Sequence, residues 1–144
     1  MTAMAGSWQF WAILAAVFAS LTAIFAKVGV ADIGSDFATF LRTLVVVSVL
    51  AVILWATGKY ERLDGISAKS ALFLVLSGLA TGASWLAYFR ALKLGQASQV
   101  APVDKLSVVL VAIFGAVFLG ERLSPMGWVG VSMVGAGAVV IALS

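Results

Sequence analysis

Long apolar stretches alternate with short polar breaks along the whole chain. The hydrocarbon core of a bilayer is about 30 Å thick and an α-helix rises about 1.5 Å per residue, so roughly 20 apolar residues are needed to cross it. Five stretches have this length, at residues 8–26, 36–57, 70–90, 98–119 and 125–143. The pattern predicts an all-α integral membrane protein whose five transmembrane helices form one domain over residues 1–144.

The polar breaks carry residues that begin helices. Ser35 and Asp36 stand at the start of the second stretch, and Ser124 followed by Pro125 stands at the start of the fifth. Serine and aspartate oxygens accept hydrogen bonds from the first free N–H groups of a helix, and proline fits its first position. We therefore expect Ser35 or Asp36 to cap the second helix and Ser124 to cap the fifth.

The first stretch, residues 8–26, resembles a secretory signal only superficially. No basic segment precedes it, and it is longer than the usual apolar core of a signal, which is about 7–15 residues. We expect it to be retained as a helix of the mature protein.

Composition excludes most other classes of protein. Apolar residues make up 63% of the chain and charged residues 10%, far from the roughly 45–50% and 25% of soluble domains. With no cysteine and no histidine, the chain lacks thiolate nucleophiles, imidazole catalysts and the usual zinc ligands. The net charge of +3 is not gathered into a basic patch, as nucleic-acid binding would require. We therefore expect a protein that is not an enzyme and that binds no metal, cofactor or nucleic acid. We expect it to be a multi-pass protein of the cell membrane, which in a bacterium is the inner membrane.

Basic residues are divided almost equally between the two sides of the predicted helices. The side that carries the N-terminus, called side A, holds Lys59, Arg62, Lys69 and Arg122, and the opposite side, called side B, holds Lys27, Arg90 and Lys93. Because an excess of Lys and Arg in one set of loops sets orientation, a balance of four against three permits insertion in both orientations and pairing as an antiparallel dimer. Folding or the N-terminal amine could instead fix one orientation with the N-terminus inside.

Aromatic residues collect near side A, where an interfacial belt would place them. The residues of this belt are Trp8, Trp11, Trp55, Tyr60 and Trp128. Trp85 and Tyr88 lie within the third stretch instead, where they either pack against lipid and helices or form the wall of a solute site.

Small residues recur at the spacing that lets helices pack closely. Gly78 and Gly82 form such a pair in the third stretch, and the fifth stretch contains Gly127, Gly130, Gly135 and Gly137. We expect these glycines to mark contact faces, either within one protomer or at a dimer interface.

Three ionisable residues, Arg42, Asp104 and Lys105, stand inside predicted membrane helices. Arg42 lies roughly 9 Å from the start of its helix and Lys105 roughly 10 Å, at a depth where charges are costly and commonly functional. With Arg90 at the end of the third helix, they could form one group of three positive charges and one negative, which would favour an anionic solute. Alternatively, the basic side chains extend toward side B, and Asp104 pairs or caps locally.

Pro102 precedes this charged pair and has two possible roles. Within a helix it would remove a backbone hydrogen bond and leave a carbonyl to line a cavity. In the first turn it would only start the helix, and this is the role that we expect.

Three motifs follow one another from residue 88 onward, namely RALKLG at residues 90–95, APVDKLS at 101–107 and LGERLS at 119–124. With these motifs, this part of the chain resembles the EamA-like transporters of the drug/metabolite transporter superfamily. Arg42 in FATFLRTLVVV is also similar to an arginine of the family's second helix, so the likeness covers nearly the whole chain. It implies a five-helix unit. Most relatives carry two such units in inverted orientation, whereas this chain resembles the single-unit subgroup, half of an inverted-repeat ten-helix transporter.

The resemblance implies a secondary transporter or exporter of small metabolites or drug-like solutes. It would work by alternating access, as an antiparallel homodimer in the lipid bilayer. The residues expected to hold the solute are Arg42, Trp85, Tyr88, Asp104 and Lys105. The alternative is a membrane scaffold or accessory subunit without transport of its own, in which the buried charges serve only folding.

Overall fold

Helices make up most of the computed structural model, which describes residues 7–61 and 65–144. Six helices are found in these ranges: α1 Trp8–Gly29, α2 Ser35–Thr57, α3 Ala68–Leu94, α4 Ala97–Asp104, α5 Leu106–Phe118 and α6 Pro125–Ala142. Helices α4 and α5 together form one span, and the five resulting spans are long and apolar enough to cross a membrane. The prediction of five transmembrane helices is confirmed. Arg62, one of the basic residues assigned to side A, lies outside the described residues.

Helix α3 continues one turn beyond the predicted end at Arg90. The apolar pattern is interrupted at Arg90 and Lys93, but the residues between them, Ala91 and Leu92, are strong helix formers and the backbone stays helical. Arg90 therefore lies inside a helix, one turn before its end.

The two predicted N-terminal caps have different outcomes. Ser124 caps α6 as expected, since its Oγ accepts a hydrogen bond of 3.1 Å from the N–H of Gly127, and Pro125 takes the first position. The prediction for α2 is wrong, because Gly34 is the N-cap and no side chain caps the helix. The Asp36 carboxylate is bound by Arg90 instead, a charge-assisted contact that competes with capping.

Glycine ends helix α2. Gly58 adopts φ 63°, a left-handed conformation that only glycine takes without strain. The N–H groups of Gly58 and Lys59 bond the carbonyls of Trp55 and Leu54, which satisfies acceptors that the helix end leaves free.

The fourth span is interrupted between α4 and α5. Pro102 lies inside α4, not in its first turn, so the expectation that it only starts the helix is wrong. Proline has no N–H for the carbonyl of Ser98, four residues earlier. Three residues later, the N–H of Lys105 bonds the carbonyl of Pro102 at 3.0 Å, a tightened turn of the 3₁₀ type. The pair Asp104 and Lys105 thus stands where the helix is broken.

The described chain divides into two compact units, called here the α2–α3 unit, residues 26–93, and the α4–α6 unit, which contains residues 94–144 and most of α1. Buried residues of the α2–α3 unit are confined to the end of α1, the start of α2 and the end of α3. These residues are Ala26, Val30, Ala38, Thr39, Phe89 and Leu92. The core of this unit therefore lies at one end of its helices.

In the α4–α6 unit, α6 packs against both α4 and α5. A Cβ at Gly135 would lie 3.0 Å from Cγ2 of Val109, so glycine at this position permits close approach of α6 and α5, as the sequence predicts. A Cβ at Gly78, Gly82, Gly130 or Gly137 would meet no described atom within 4 Å. No close helix contact is thus seen at these four glycines among the described residues of their own unit.

The outer surfaces of the spans are apolar. Large side chains such as Trp8, Trp55 and Val45 are more than half exposed, which a water-soluble protein of this size rarely shows over so much of its surface. With mean hydropathy of 1.6 to 2.4 over the five spans, these surfaces are suited to lipid. The chain is a multi-pass membrane protein.

Candidate functional site

A cation–π contact joins the first half of α2 to α3. The guanidinium carbon of Arg42 lies 4.0 Å from the centroid of the Trp85 ring and 5.6 Å from that of Phe89. Aromatic faces attract cations within about 6 Å, most strongly where water is excluded. The two rings therefore provide favourable surroundings for a charge that the sequence places at membrane depth.

Helical spacing brings these groups together. Residues three or four apart on an α-helix share one face, and Trp85, Tyr88, Phe89 and Leu92 follow that spacing on α3. Phe89 and Leu92 are buried, and Trp85 and Tyr88 are half-buried. The opposing face of α2 carries Ala38 and Thr39, both buried, with Arg42 one turn further on.

The hydrogen-bonding edge of Arg42 is not fully used. Its Nη1 atom is buried and has no hydrogen-bond partner within residues 7–61 and 65–144. Guanidinium N–H groups donate in the plane of the group. The contact with Trp85 therefore leaves the Nη1 donor without an oxygen or nitrogen acceptor, in surroundings where such a donor is costly.

Neighbouring hydroxyls of α2 donate to their own helix. Thr39 Oγ1 donates to the carbonyl of Ser35 at 2.9 Å, and Thr43 Oγ1 donates to the carbonyl of Thr39 at 2.8 Å. These bonds satisfy the hydroxyl donors within the apolar surroundings of the helix.

Three basic side chains form hydrogen bonds between segments at the end of the α2–α3 unit that contains its core. Arg90 Nη2 donates to both carboxylate oxygens of Asp36 at 3.0 Å. Lys93 Nζ donates to the carbonyl of Ile33 at 2.5 Å, and Lys27 Nζ donates to the carbonyl of Leu92 at 2.6 Å. These contacts join α3 to the other two helix ends of the unit.

The remaining predicted residues pair with each other in the α4–α6 unit. Lys105 Nζ lies 3.3 Å from Oδ2 of Asp104, its neighbour in sequence. Asp104 is half-buried and Lys105 is more exposed. This local pair is the alternative that the sequence left open for Asp104, and it stands at the interruption between α4 and α5.

The structure thus joins the predicted site residues in two sets. Arg42, Trp85 and Tyr88 lie together on α2 and α3, and Tyr88 is near enough to interact electrostatically with Arg42. Asp104 and Lys105 form the second set. Sequence reasoning missed Phe89, although its spacing of four from Trp85 on an apolar helix indicates a shared face.

Metal-binding clusters are not found in the part of the chain that the structure describes. No group of three or more His, Cys, Asp or Glu residues is placed there to hold an ion. The two sets of residues offer a guanidinium beside aromatic rings in the α2–α3 unit and one ion pair in the α4–α6 unit.

Comparison with known proteins gives two matches that cover the chain almost completely. The profile of the EamA-like transporter family matches residues 6–143. A protein of Sinorhizobium sp described as "Uncharacterized transporter in cobO 3'region" is 62% identical over 140 residues, which is 97% of this chain and 99% of that protein. No solved structure gives a significant match.

Proposed function

Because the chain belongs to the EamA-like transporter family, we propose that it is a secondary transporter or exporter of small metabolites or drug-like solutes. Its described residues form five membrane spans, and its 62% identical relative is named a transporter. The observation that carries the proposal is Arg42, a cation inside a membrane span that lies 4.0 Å from the Trp85 ring centroid while its buried Nη1 donor has no partner in the described residues. Ionisable groups in such positions commonly mark solute pathways.

Solute contacts are assigned to Arg42, Trp85, Tyr88, Asp104 and Lys105. Arg42 supplies an in-plane donor, Trp85 and Tyr88 supply aromatic surface, and Asp104 and Lys105 supply a charged pair beside a helix interruption. Interrupted helices near the centre of a membrane are a recurrent feature of transporter binding sites, since their free backbone groups and helix ends bind polar solutes.

Alternating access requires a second half, and a second copy of the chain inserted in the opposite orientation would supply it. The balance of four basic residues on side A against three on side B favours neither orientation. Two copies related by inversion would reproduce the inverted repeats on which many secondary transporters are built. The proposal therefore includes an antiparallel homodimer, which is located in the cell membrane.

Uptake into liposomes tests this function. Purified protein is reconstituted, and the uptake of a panel of labelled metabolites is compared with that of protein-free liposomes. At least one solute should enter in a saturable manner. Arg42→Gln and the double variant Asp104→Asn/Lys105→Gln should reduce its uptake by about tenfold or more, because each removes charge-assisted contacts.

The matched control is Lys59→Gln, which removes a basic charge from an exposed position and leaves the loop charges near balance at three against three. It should transport like the unaltered protein at equal reconstituted amounts. Saturable uptake that is unaffected by all the site variants would refute the assigned residues. No uptake of any solute would favour the scaffold or accessory subunit instead.

A further inference from the structure

The four charges that the sequence suggests as one group have different surroundings in the structure. Arg90 is bound by the carboxylate of Asp36, and Lys105 is bound by Asp104. No carboxylate of residues 7–61 and 65–144 pairs with Arg42, whose Nη1 has no acceptor in that range. Arg42 is therefore the cation of this group whose charge is not balanced by an acidic partner.

The contacts of Arg42 also leave its Nη1 atom available for an anion. The guanidinium carbon lies 4.0 Å from the centroid of Trp85 and 5.6 Å from that of Phe89. Neither ring carries an oxygen or nitrogen acceptor. An anion that accepts a hydrogen bond from Nη1 would thus add to the cation–π contacts without replacing them.

We propose that Arg42 is the binding site for the carboxylate of an organic monoanion, and that this residue gives the transporter its preference for solute charge. The inference rests on the proposed transport function and specifies its substrate class. One guanidinium balances one negative charge, so a bound monoanion makes a neutral pair within the membrane. A cationic solute would be repelled, and a dianion would leave one charge uncompensated where charges are costly.

The planar geometry of the guanidinium favours a carboxylate over other monoanions. Its donors lie in a fixed fork that matches the two oxygens of a carboxylate, whereas a lysine ammonium binds as a point charge. The Trp85 ring lies 4.0 Å from the centre of the fork and so limits its movement. Arg42→Lys should therefore keep the preference for anions but weaken binding.

Binding to purified protein is measured at neutral pH with matched acids and amides, namely acetate and acetamide, hexanoate and hexanamide, and benzoate and benzamide. Each pair has nearly the same shape, so the difference within a pair reports the charge. The readouts are ligand stabilisation against heat and the emission of Trp85 in a variant whose other four tryptophans, Trp8, Trp11, Trp55 and Trp128, are replaced by phenylalanine. Transport of the same six compounds is measured in liposomes.

At least one acid should bind about tenfold more tightly than its amide, since charge-assisted hydrogen bonds are roughly twice as strong as neutral ones. Arg42→Gln should bring the acid and the amide to within about threefold of each other, and Arg42→Lys should lie between. Lys59→Gln should behave as the unaltered protein does. If Arg42→Gln does not fold, the acid–amide comparison on the unaltered protein and on Arg42→Lys still tests whether Arg42 binds a carboxylate.

The outcomes separate this inference from the proposed function. Transport of amides at least as fast as of their acids overturns the carboxylate site and leaves the transporter intact. Binding of acids that depends on Arg42, without transport of any compound, supports the site and overturns the transporter. If no acid is preferred in binding or transport, the inference is wrong.

Discussion

The ring of Trp85 lies 4.0 Å from the guanidinium carbon of Arg42, and both residues are half-buried. We expect Trp85→Leu to lower the free energy of unfolding in detergent micelles, because leucine has no π face for the cation. A double-mutant cycle with Arg42→Met should give a coupling energy of about 1–2 kcal/mol, as expected for a partly desolvated cation–π pair.

The control for this cycle is Trp55→Leu, since Trp55 is 77% exposed and lies 13 positions from Arg42 on the same helix. Its coupling to Arg42→Met should be within about 0.5 kcal/mol of zero. Equal coupling energies for the two tryptophans would mean that the contact between Arg42 and Trp85 does not contribute specifically to stability.

Ser124 provides a second prediction at the level of one side chain. Its Oγ accepts from the N–H of Gly127 at the start of α6, so Ser124→Ala should destabilise the protein by about 1 kcal/mol. Ser132→Ala, within the exposed part of the same helix, is the control and should change stability little. A denaturant midpoint that is unchanged in Ser124→Ala would contradict the cap.

Single residues also mark where sequence reasoning succeeds and fails. Arg42 could be recognised because a charge within an apolar stretch stands out in any sequence, and Ser124 because its cap is formed by residues three apart. The partner of Asp36 could not, since Arg90 is 54 positions away. A local pattern carries no information about which distant helix end will supply a counter-charge.

At the scale of one element, the interruption at Lys105 makes the fourth span different from the others. We expect Pro102→Ala to raise the free energy of unfolding by up to about 3 kcal/mol, because alanine restores an N–H for the carbonyl of Ser98. Transport should fall if the interruption is needed. The measurements are denaturant unfolding in micelles and uptake at equal reconstituted amounts.

A loss of stability in Pro102→Ala would show that the packing of α4 depends on the proline ring. Transport that stays unchanged in a more stable variant would show that the interruption has no part in the solute pathway.

The contact between α5 and α6 depends on Gly135. A Cβ there would lie 3.0 Å from Val109. Gly135→Leu should therefore overpack the contact and lower the free energy of unfolding by about 1–3 kcal/mol. Gly137→Leu is the matched control, because a Cβ at Gly137 meets no described atom within 4 Å. Thermal unfolding of the two variants in micelles tests the difference.

Equal losses of stability in the two variants would contradict the assigned contact. If Gly137→Leu instead leaves the protomer stable but abolishes the dimer in size-exclusion chromatography, the open glycines belong to an interface between copies.

Elements were predictable to the extent that they depend on apolar length. All five spans follow from it, since any 20-residue apolar helix must be buried in lipid or protein. The extra turn of α3 does not, because hydropathy falls at Arg90 while the helical backbone continues. Apolar length also does not predict whether Gly78 and Gly82 contact another helix. Small residues permit close packing, but they do not by themselves bring a second helix near.

At the scale of the whole molecule, the near balance of basic residues predicts insertion in both orientations. The chain has no native cysteine, so Ser144→Cys gives a single reporter at the C-terminus. In intact cells, a membrane-impermeant maleimide should label about half of the molecules, and the remainder should react only after permeabilisation. Labelling of every molecule from one side would contradict dual insertion.

The same reporter shows how strongly orientation depends on the balance of basic residues between side A and side B. Glu61→Lys adds a basic residue to side A, which then holds five against the three of side B. Side A should shift to the cytoplasm, and uptake should fall as antiparallel partners become scarce. Glu61→Gln is the control, since acidic residues contribute little to orientation.

The count of five spans has a consequence for how such a chain could evolve. An odd number of crossings leaves the two ends of the membrane region on opposite faces. If two copies of the gene are joined end to end, the second copy therefore starts from the far face and is inserted upside down without any added segment. Duplication followed by loss of a stop codon would be enough to turn an antiparallel pair into a single polypeptide, whereas a four-span ancestor would need an extra crossing in the linker.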